Sequence, residues 1–492
     1  MGYASKHVSM NHYGVTMGLE TSLLTTPNAT VRGLLREDGS SEFRGIRYAT
    51  SQRFQRPIDV ELSGDVDASV YGSICPQVPG FLEQSLGLDS SSMSEDCLFL
   101  NVYVPAEASS ASQLPVLFWI HGGAYTNGAG SLDWYHGSSL AKRGAVVVTI
   151  NYRLGIFGFI GSENLGTEDM VSALRWTKKN ISHFGGNPDN ITIFGESAGG
   201  SAVVSLLASS DAEPLFHKAW AMSPSIGQLR SADRGREIQD KILVAANVKS
   251  IQELSGKSVD ELLEIQNALL TQPSREFDWF APSAGCNSLS STLLATAAES
   301  PKPFVIGTNR DENKLWSAFN PASAATTREE WIQHTSRIFG EKATSAQVVY
   351  EARRADETPH FLISAVDTDV AFRARAWSLV NDRCAHAMPT WMYWFTWPTP
   401  AFGGLLGSCH ALDIPFAFDN LDAPGGEMFT GDSPDRLSIA ERFADELVTF
   451  AAHGHPTWEQ YNTDSRPTLQ IDVSVDLVLD PEHDIRQLFT TK

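Results

Sequence analysis

Positive charge is scarce in this chain of 492 residues. Lysine and arginine together number 37 against 58 aspartates and glutamates, which gives a formal net charge of −21 at pH 7. A negative field of this size repels phosphate backbones and anionic lipids, because binding to either depends on clustered positive charge. The composition therefore excludes nucleic-acid binding through a basic surface as the main role, and it argues against adsorption to anionic membranes.

Cysteine and long apolar runs are also rare. Five cysteines are too few for a disulfide-stabilised scaffold. No stretch approaches the roughly 20 apolar residues of a membrane-spanning helix, and residues 1–30 lack the apolar run of a secretory leader. We therefore expect a cytoplasmic protein without an integral membrane segment. A processed secreted chain with an added methionine would have the same sequence.

Metal-binding and phosphate-binding patterns are missing as well. Neither H-E-x-x-H nor C-x-x-C spacing occurs in the chain. The stretch Ser255-Gly256-Lys257-Ser258 matches the end of a phosphate-binding loop, but Ile251 stands where that motif needs glycine. The sequence therefore implies no metal and no cofactor.

Short apolar runs alternate with amphipathic helical segments through most of the chain. The strongest predicted strands are 116–120, 145–150, 191–194, 304–307 and 391–395. A helix is predicted after Ser433-Pro434, with Leu437, Ala440, Ala444, Leu447 and Ala451 on its apolar face and Gly454 at its end. Such alternation predicts a mainly parallel sheet covered by helices on both faces. We expect a single domain over 1–492, with helical insertions at 210–300 and 315–385.

A serine lies between two glycines in the segment Gly195-Glu196-Ser197-Ala198-Gly199. This G-x-S-x-G pattern follows a predicted strand and precedes a segment of small residues, a context typical of the nucleophile elbow. The glycines leave room for a sharp turn that exposes the serine hydroxyl. A plain glycine-rich turn is the alternative, and the flanking strand and helix make it the weaker one.

A second glycine-containing segment follows the strand at 116–120. It reads His121-Gly122-Gly123-Ala124-Tyr125. Consecutive small residues allow neighbouring backbone N–H groups to converge on one point, as acyl-transfer enzymes require for the oxyanion of the tetrahedral intermediate. By itself the segment fits an ordinary turn. Together with the serine elbow it predicts an oxyanion hole.

These motifs and others like them identify a family. The chain resembles the type-B carboxylesterases, the carboxylesterase, cholinesterase and fungal lipase branch of the α/β-hydrolases. The matching blocks are 43–49, 94–102, 119–125, 151–155, 184–188 and 194–200. Further blocks bring the resemblance to nearly the whole chain. It implies an α/β-hydrolase fold, with a mostly parallel central sheet and helical insertions over the active site.

The resemblance also implies a catalytic triad. The family places its acid in a block matched by 307–312 and its histidine in a block matched by 410–418, which assigns these roles to Glu312 and His410. The order Ser197, Glu312, His410 is the order expected of the fold. Asp311 adjoins Glu312, and spacing alone leaves either carboxylate as the partner of His410.

The remaining site residues are carried over in the same way. The backbone N–H groups of Gly123, Ala124 and Ala198 are the implied oxyanion donors, and His121 is expected to order their loop. Cys409, beside the triad histidine, is interpreted as a packing residue. Three aromatic residues are candidates for pocket lining or for simple core packing: Tyr125, Phe81 and Trp316.

Two cysteines match a pair that closes a loop over the gorge in many relatives. These are Cys75 and Cys97, and the loop 75–97 is a candidate flap that carries Phe81, Leu82, Leu86 and Leu88. A disulfide suits a secreted protein, whereas a cytoplasmic one keeps its thiols reduced. The missing leader favours the reduced form. The resemblance further implies two structural ion pairs, Arg53 with Glu95 and Arg153 with Asp169.

The implied activity is hydrolysis of a small-molecule carboxylic ester through an acyl-enzyme. Two alternatives remain open at this point. One is acyl transfer or another non-hydrolytic step on a small-molecule ester in a biosynthetic route, because water access and acceptor binding separate transfer from hydrolysis. The other is a non-catalytic binding module, which the intact serine, glutamate and histidine set disfavours.

Overall fold

The apolar runs of the sequence are strands of one large sheet. The computed structural model describes residues 20–80, 88, 90–272, 278–321 and 323–490. Its strands are β1 Glu20–Thr25, β2 Ala29–Leu35, β3 Ser41–Arg47, β4 Ala49–Thr50, β5 Ile58–Asp59, β6 Gly64–Asp67, β7 Phe99–Val104, β8 Leu114–Ile120, β9 Val146–Ile150, β10 Gly186–Glu196, β11 Lys218–Met222, β12 Arg230–Ser231, β13 Ser283–Ala284, β14 Phe304–Asn309, β15 Thr390–Phe395, β16 Pro467–Ile471 and β17 Val475–Leu479. Among the described residues, 13 of these strands form the sheet, while β4 pairs with β5 and β12 with β13.

The centre of the sheet is parallel and its edges are antiparallel. The strand order is β1-β2-β3-β7-β9-β8-β10-β11-β14-β15-β16-β17, and β6 pairs with β2. All neighbours from β9 to β16 run parallel. The neighbours from β1 to β9 at one end, and β16 with β17 at the other, run antiparallel. The sequence pattern predicted the parallel centre and not the antiparallel edges.

Alternate side chains of the central strands enter two separate apolar cores. On β8, Val116, Phe118 and Ile120 belong to one core, and Leu117 and Trp119 belong to the other. All five side chains are fully buried. Burial on both faces explains why this strand is a continuous apolar run rather than an alternating one.

Helices cover both faces of the sheet. They are α1 Ser138–Lys142, α2 Gly155–Gly158, α3 Leu165–Asn180, α4 Ala198–Leu206, α5 Ala232–Ala245, α6 Ile251–Leu254, α7 Val259–Leu270, α8 Leu293–Glu299, α9 Lys314–Ser317, α10 Arg328–Phe339, α11 Ala343–Arg353, α12 Pro359–Thr368, α13 Ala374–Ala385, α14 Ile414–Ala417, α15 Gly426–Thr430, α16 Asp435–His453 and α17 His483–Phe489. Helix α3 packs its apolar side into the first core, and α16 packs into the second. No helix in the described part of the chain has the length and apolar character needed to cross a membrane.

The predicted helix after Ser433-Pro434 is α16, and two details differ from the prediction. It begins one residue later, with Pro434 at the N-cap. Leu437 is 59% exposed, whereas the other four residues predicted on the apolar face are buried. Leu437 lies in the first turn of the helix, and the buried face of α16 begins only at Ile439.

The segment 210–300 contains one strand of the sheet. Strand β11 (Lys218–Met222) lies between β10 and β14, and the helices α5 to α8 follow it. Its residues lack the β-branched character of the other central strands, which explains why it was not recognised. Lys218 is buried and hydrogen-bonds through Nζ to Oδ1 of Asn190. The segment 315–385 is helical from α9 to α13, with a π-helical turn at Asp369–Arg373.

Candidate active site

The candidate catalytic residues all follow parallel strands of the sheet. His121 follows β8, Ser197 follows β10, Glu312 lies between β14 and α9, and His410 lies between β15 and α14. The carboxyl ends of parallel strands meet at one edge of the sheet, where α/β proteins form their binding sites. Residues far apart in sequence are thereby brought together.

Ser197 occupies a sharp turn between strand and helix. Strand β10 ends at Glu196 and α4 begins at Ala198, with Ser197 at φ 57° and ψ −119°. This backbone conformation is strained for a side chain other than glycine, and such strain clusters at active sites. Three backbone hydrogen bonds hold the turn: Ser197 N–H donates to Met222 O at 3.0 Å, and Ser197 O accepts the N–H groups of Ser201 at 2.9 Å and Ser225 at 3.2 Å. The predicted elbow is present.

The glycines of the elbow allow strand β8 to lie directly beside it. A Cβ atom at Gly199 would overlap the carbonyl oxygen of Ile120, and one at Gly195 would lie 2.6 Å from the same oxygen. Neither position has room for alanine. The G-x-S-x-G spacing therefore reflects a steric need of this packing.

The loop after β8 lies against Ser197. A Cβ atom at Gly122 would be 3.2 Å from Cβ of Ser197. Gly123 and Ala124 both have positive φ, 101° and 54°, and their N–H groups donate to no acceptor among the described residues. Helix α4 has no side-chain cap, so the N–H of Ala198 is available in the same way. Unpaired N–H groups at a turn and at a helix N-terminus suit an anion.

His121 packs against this loop and hydrogen-bonds within it. Its ring is fully buried and stacks on Tyr152 with ring centroids 4.4 Å apart. The hydroxyl of Tyr152 donates to the carbonyl oxygen of His121 at 2.8 Å, and Nδ1 of His121 lies 2.8 Å from the carbonyl oxygen of Gly122. Burial lowers the pKa of His121 to about 4, so the ring is neutral at physiological pH and acts in packing.

Glu312 rather than Asp311 contacts the candidate histidine. Nδ1 of His410 donates to Oε2 of Glu312 at 2.6 Å, and Oε1 of Glu312 accepts the N–H of Asn309 at 2.7 Å. Asp311 instead accepts a hydrogen bond from the buried Arg354 at 2.9 Å. These contacts make Glu312 the partner of His410, a choice between the two carboxylates that sequence spacing had left open.

The other ring nitrogen of His410 faces the elbow that contains Ser197. Nε2 has no hydrogen-bond partner among the described residues, and it lies 3.1 Å from Oε1 of Glu196. That distance permits a charge interaction, although the two atoms are not aligned for a hydrogen bond. A nitrogen without a partner at this position is free to accept a proton.

Three buried carboxyl groups surround His410 and compete for protons. Burial raises the pKa of Glu196 to about 8. Burial and the charge of Glu312 raise the pKa of Asp413 to about 7, and Asp413 accepts a hydrogen bond from the Tyr393 hydroxyl at 3.0 Å. Burial alone would lower the pKa of His410, but the carboxylates of Glu196 and Glu312 outweigh it and raise that pKa. Sequence reasoning missed Glu196 and Asp413, although both lie inside the recognised blocks.

We expect Glu196→Gln to lower the pH at which activity is lost in acid. A nearby carboxylate favours the protonated imidazolium, and a protonated His410 accepts no proton from Ser197. Removing that charge lowers the pKa of His410, so the acidic limb of the kcat/KM profile should move down by about one pH unit. The matched control is Glu168→Gln, which removes a buried carboxyl group on α3. An unchanged limb would mean that Glu196 is already neutral in the working enzyme.

Aromatic side chains from the 315–385 segment cover the histidine. The rings of Trp316 and Phe372 lie 4.9 Å and 4.8 Å from the ring of His410, and Trp316 is 53% exposed. Phe372 comes from the π-helical turn, a feature often found at functional sites, and no sequence signal marked it. Tyr125 is fully buried against Phe159 and belongs to the core. Phe81 lies outside the described residues.

The cysteines at the site are thiols. Cys75 and Cys97 are both buried and free, in contrast to the pairing implied by the resemblance. A hydrogen bond with Cys75 and burial raise the pKa of Cys97 well above its usual value. Cys409 is also fully buried, which raises the pKa of its thiol and disfavours the reactive thiolate. Of the loop 75–97, residues 81–87 and 89 lie outside the described part, with Leu82 and Leu86 among them.

Both expected ion pairs are present in the structure. Nε of Arg53 donates to Glu95 at 2.8 Å, and Nη1 of Arg53 donates to the carbonyl oxygen of Ser255 at 3.0 Å. Arg153 and Asp169 are buried and make two hydrogen bonds of 2.8 Å. The first pair joins the segment after β4 to the loop before β7, and the second joins the loop after β9 to α3. Within the described residues, no three histidine, cysteine or acidic side chains are grouped closely enough to hold a metal.

Comparison with known proteins gives a consistent family. The model of the carboxylesterase family matches residues 20–484. The para-nitrobenzyl esterase of Bacillus subtilis (strain 168) is 34% identical over 498 residues, covering 96% of this chain and 99% of that protein. The phenmedipham hydrolase of Pseudarthrobacter oxydans is 32% identical over 469 residues, covering 91% and 92%.

Solved structures agree with this result. A structure of a PNB esterase matches with a TM-score of 0.83 at 32% identity, covering 96% of this chain and 100% of that chain. A carboxylesterase of Geobacillus stearothermophilus at pH 6.2 also has a TM-score of 0.83, at 30% identity, covering 95% and 100%. These neighbours have the α/β-hydrolase fold, and the predicted fold class is confirmed.

Proposed function

Because this chain belongs to the carboxylesterase family and is a carboxylic ester hydrolase, we propose that Ser197, His410 and Glu312 carry out its reaction. The observation that supports this assignment most directly is the buried hydrogen bond of 2.6 Å between His410 and Glu312, beside a serine in a strained elbow. A base held by a carboxylate beside a serine hydroxyl is the arrangement that activates a serine nucleophile.

In the first half of the reaction, Oγ of Ser197 attacks the ester carbonyl carbon while Nε2 of His410 takes the hydroxyl proton. Glu312 stabilises the imidazolium that results. The N–H groups of Gly123, Ala124 and Ala198 bind the negative oxygen of the tetrahedral intermediate. When that intermediate collapses, His410 gives its proton to the leaving alcohol, and an acyl group remains on Ser197.

The second half releases the acid. A water molecule attacks the acyl carbon, and Nε2 of His410 removes its proton. The second tetrahedral intermediate uses the same oxyanion donors. Its collapse returns the proton to Ser197 and frees the carboxylic acid. Apart from the ester and the water molecule, every group in these steps belongs to the chain.

The substrate is a small-molecule ester, and we propose that it carries an aromatic group near the reacting bond. Trp316 and Phe372 support this proposal, because their rings lie within 5 Å of His410 and Trp316 is half exposed. Aromatic faces at this position favour an aromatic acyl or alcohol group by offset stacking. A relative is named for para-nitrobenzyl esters, which have such a group.

Covalent labelling tests the nucleophile. Diethyl p-nitrophenyl phosphate reacts with activated serines, and we expect it to phosphorylate one residue, Ser197, with parallel loss of esterase activity. Peptide mass spectrometry locates the adduct, and Ser225, in the neighbouring turn, is the unlabelled reference. A label on another residue, or full activity after labelling of Ser197, would contradict the assignment. Product analysis with and without added alcohol then separates hydrolysis from acyl transfer.

A further inference from the structure

A second cavity lies beside the catalytic elbow but outside the proposed catalytic site. Its volume is about 350 Å³, within the range of small-molecule pockets. The turn Ile226–Gln228, the paired strands β12 and β13 and the beginning of α8 form its walls, and neither Ser197 nor His410 lines it. The turn directly follows Ser225, whose N–H donates to Ser197 O.

Most of the cavity wall is apolar. The side chains of Ile226, Leu229, Leu293 and Leu294 all line it. Ile226 and Leu293 are buried, whereas Leu229 is half-buried and Leu294 is 43% exposed, so the last two present apolar surface to water at this place. Covering such a surface releases its ordered hydration, which favours a ligand with a hydrocarbon portion.

One unpaired positive charge stands at this cavity. Arg375, on α13, lines the wall and makes no hydrogen bond or ion pair with any described residue. Its guanidinium lies against the turn, because a Cβ atom at Gly227 would be 2.9 Å from Nε and 3.0 Å from Cζ. The second arginine in the wall, Arg230, is buried and donates to the hydroxyl of Ser283 and to carbonyl oxygens, including those of Trp279 and Phe159. Only Arg375 is therefore available to a ligand.

We propose that this cavity binds an amphiphilic carboxylate. The carboxylate pairs with Arg375, and the hydrocarbon chain covers Leu229 and Leu294. A guanidinium has a planar fork that matches a carboxylate with two parallel hydrogen bonds. The chain carries far more acidic than basic residues, so a cation without an acidic partner is notable here. Ester hydrolysis releases a carboxylic acid, and the reaction itself therefore supplies a ligand of this class.

The binding test uses enzyme whose catalytic serine is blocked. The full chain is treated with diethyl p-nitrophenyl phosphate, the adduct on Ser197 is verified by mass, and decanoate is titrated by calorimetry. We expect decanoate to bind in a 1:1 ratio, and decanol and decyltrimethylammonium to bind at least tenfold more weakly, because neither offers a carboxylate to the guanidinium.

Three variants locate the ligand. We expect Arg375→Gln to weaken decanoate binding about tenfold or more, and Arg375→Lys to retain most of it. Ala295→Trp should fill the cavity and abolish binding. The matched control for the lost charge is Arg32→Gln, on the exposed side of β2, which should bind as the unmodified chain does.

Four results would contradict the proposal. Absence of decanoate binding to the blocked enzyme overturns the proposal. So does binding that is equal in the unmodified chain and in Arg375→Gln, or binding that survives Ala295→Trp. Equal affinity for decanoate and decanol would show that the guanidinium takes no part. Thermal unfolding of each variant verifies that it is folded before it is titrated.

Discussion

Replacing Ser197 with alanine should lower kcat for p-nitrophenyl butyrate by about 10⁵ to 10⁶-fold, with little change in KM. No acyl-enzyme forms without the hydroxyl, while the oxyanion donors and the pocket remain and keep a small rate above that in water. The effect is large because serine, histidine and glutamate act as one unit, so loss of any one removes most of their joint contribution. Release of p-nitrophenol measures both constants.

The control is a second hydroxyl on the same helix. Ser205, on α4, is buried and donates its hydroxyl to the carbonyl oxygen of Ser201 at 2.9 Å, away from the proposed reacting atoms. Ser205→Ala should keep kcat within a few-fold of the unmodified enzyme. If Ser197→Ala remained as active as Ser205→Ala, another nucleophile would have to carry the reaction.

Glu312→Gln should lower kcat by about 10³ to 10⁴-fold, the second largest effect. The carboxylate of Glu312 accepts the Nδ1 proton of His410, which fixes the tautomer that leaves Nε2 free to act as a base. An amide of the same shape also offers a donor, so the ring is no longer held in that tautomer and the imidazolium loses its stabilising charge. Glutamine keeps the volume, and the loss should appear in kcat.

Asp311→Asn is the matched variant, one residue away and equal in charge change. Asp311 faces Arg354, so its loss should reduce the free energy of unfolding by leaving a buried guanidinium unpaired, while the folded fraction keeps kcat within about tenfold. Steady-state rates are compared with thermal unfolding of the same samples. A loss of kcat in folded Asp311→Asn as deep as that in Glu312→Gln would reassign the acid.

The elbow at Ser197 and the glycine-containing loop after β8 were predictable because their signals are local. A serine between glycines after a strand is a steric requirement of the elbow, as the approach of Gly199 to Ile120 shows. The choice between Asp311 and Glu312 was different. It depends on the contact of Asp311 with Arg354, more than forty residues further along the chain. The spacing of residues within a motif cannot reveal a contact of this kind.

Other features depend on which residues the folded structure buries, and the sequence alone does not show this. Strand β11 lacks the composition of a central strand, and pairing with its neighbouring strands determines its position in the sheet. The pKa shift of Glu196 follows from complete burial beside His410, and the position of Phe372 follows from a π-helical turn. Leu437 fits the apolar spacing of α16 and is nevertheless exposed. Tertiary contacts, rather than local propensity, decide all four.

The order of the sheet has a consequence for the newly synthesised protein. The proposed nucleophile follows β10, its acid follows β14 and its base follows β15, so the three groups meet only after those strands have paired. A ribosome-bound chain that ends before His410 contains the elbow and the oxyanion loop but no base. Esterase activity should therefore appear late in translation. In pulse-labelled chains, its appearance would report that the central strands have paired, rather than that an earlier part of the chain has folded.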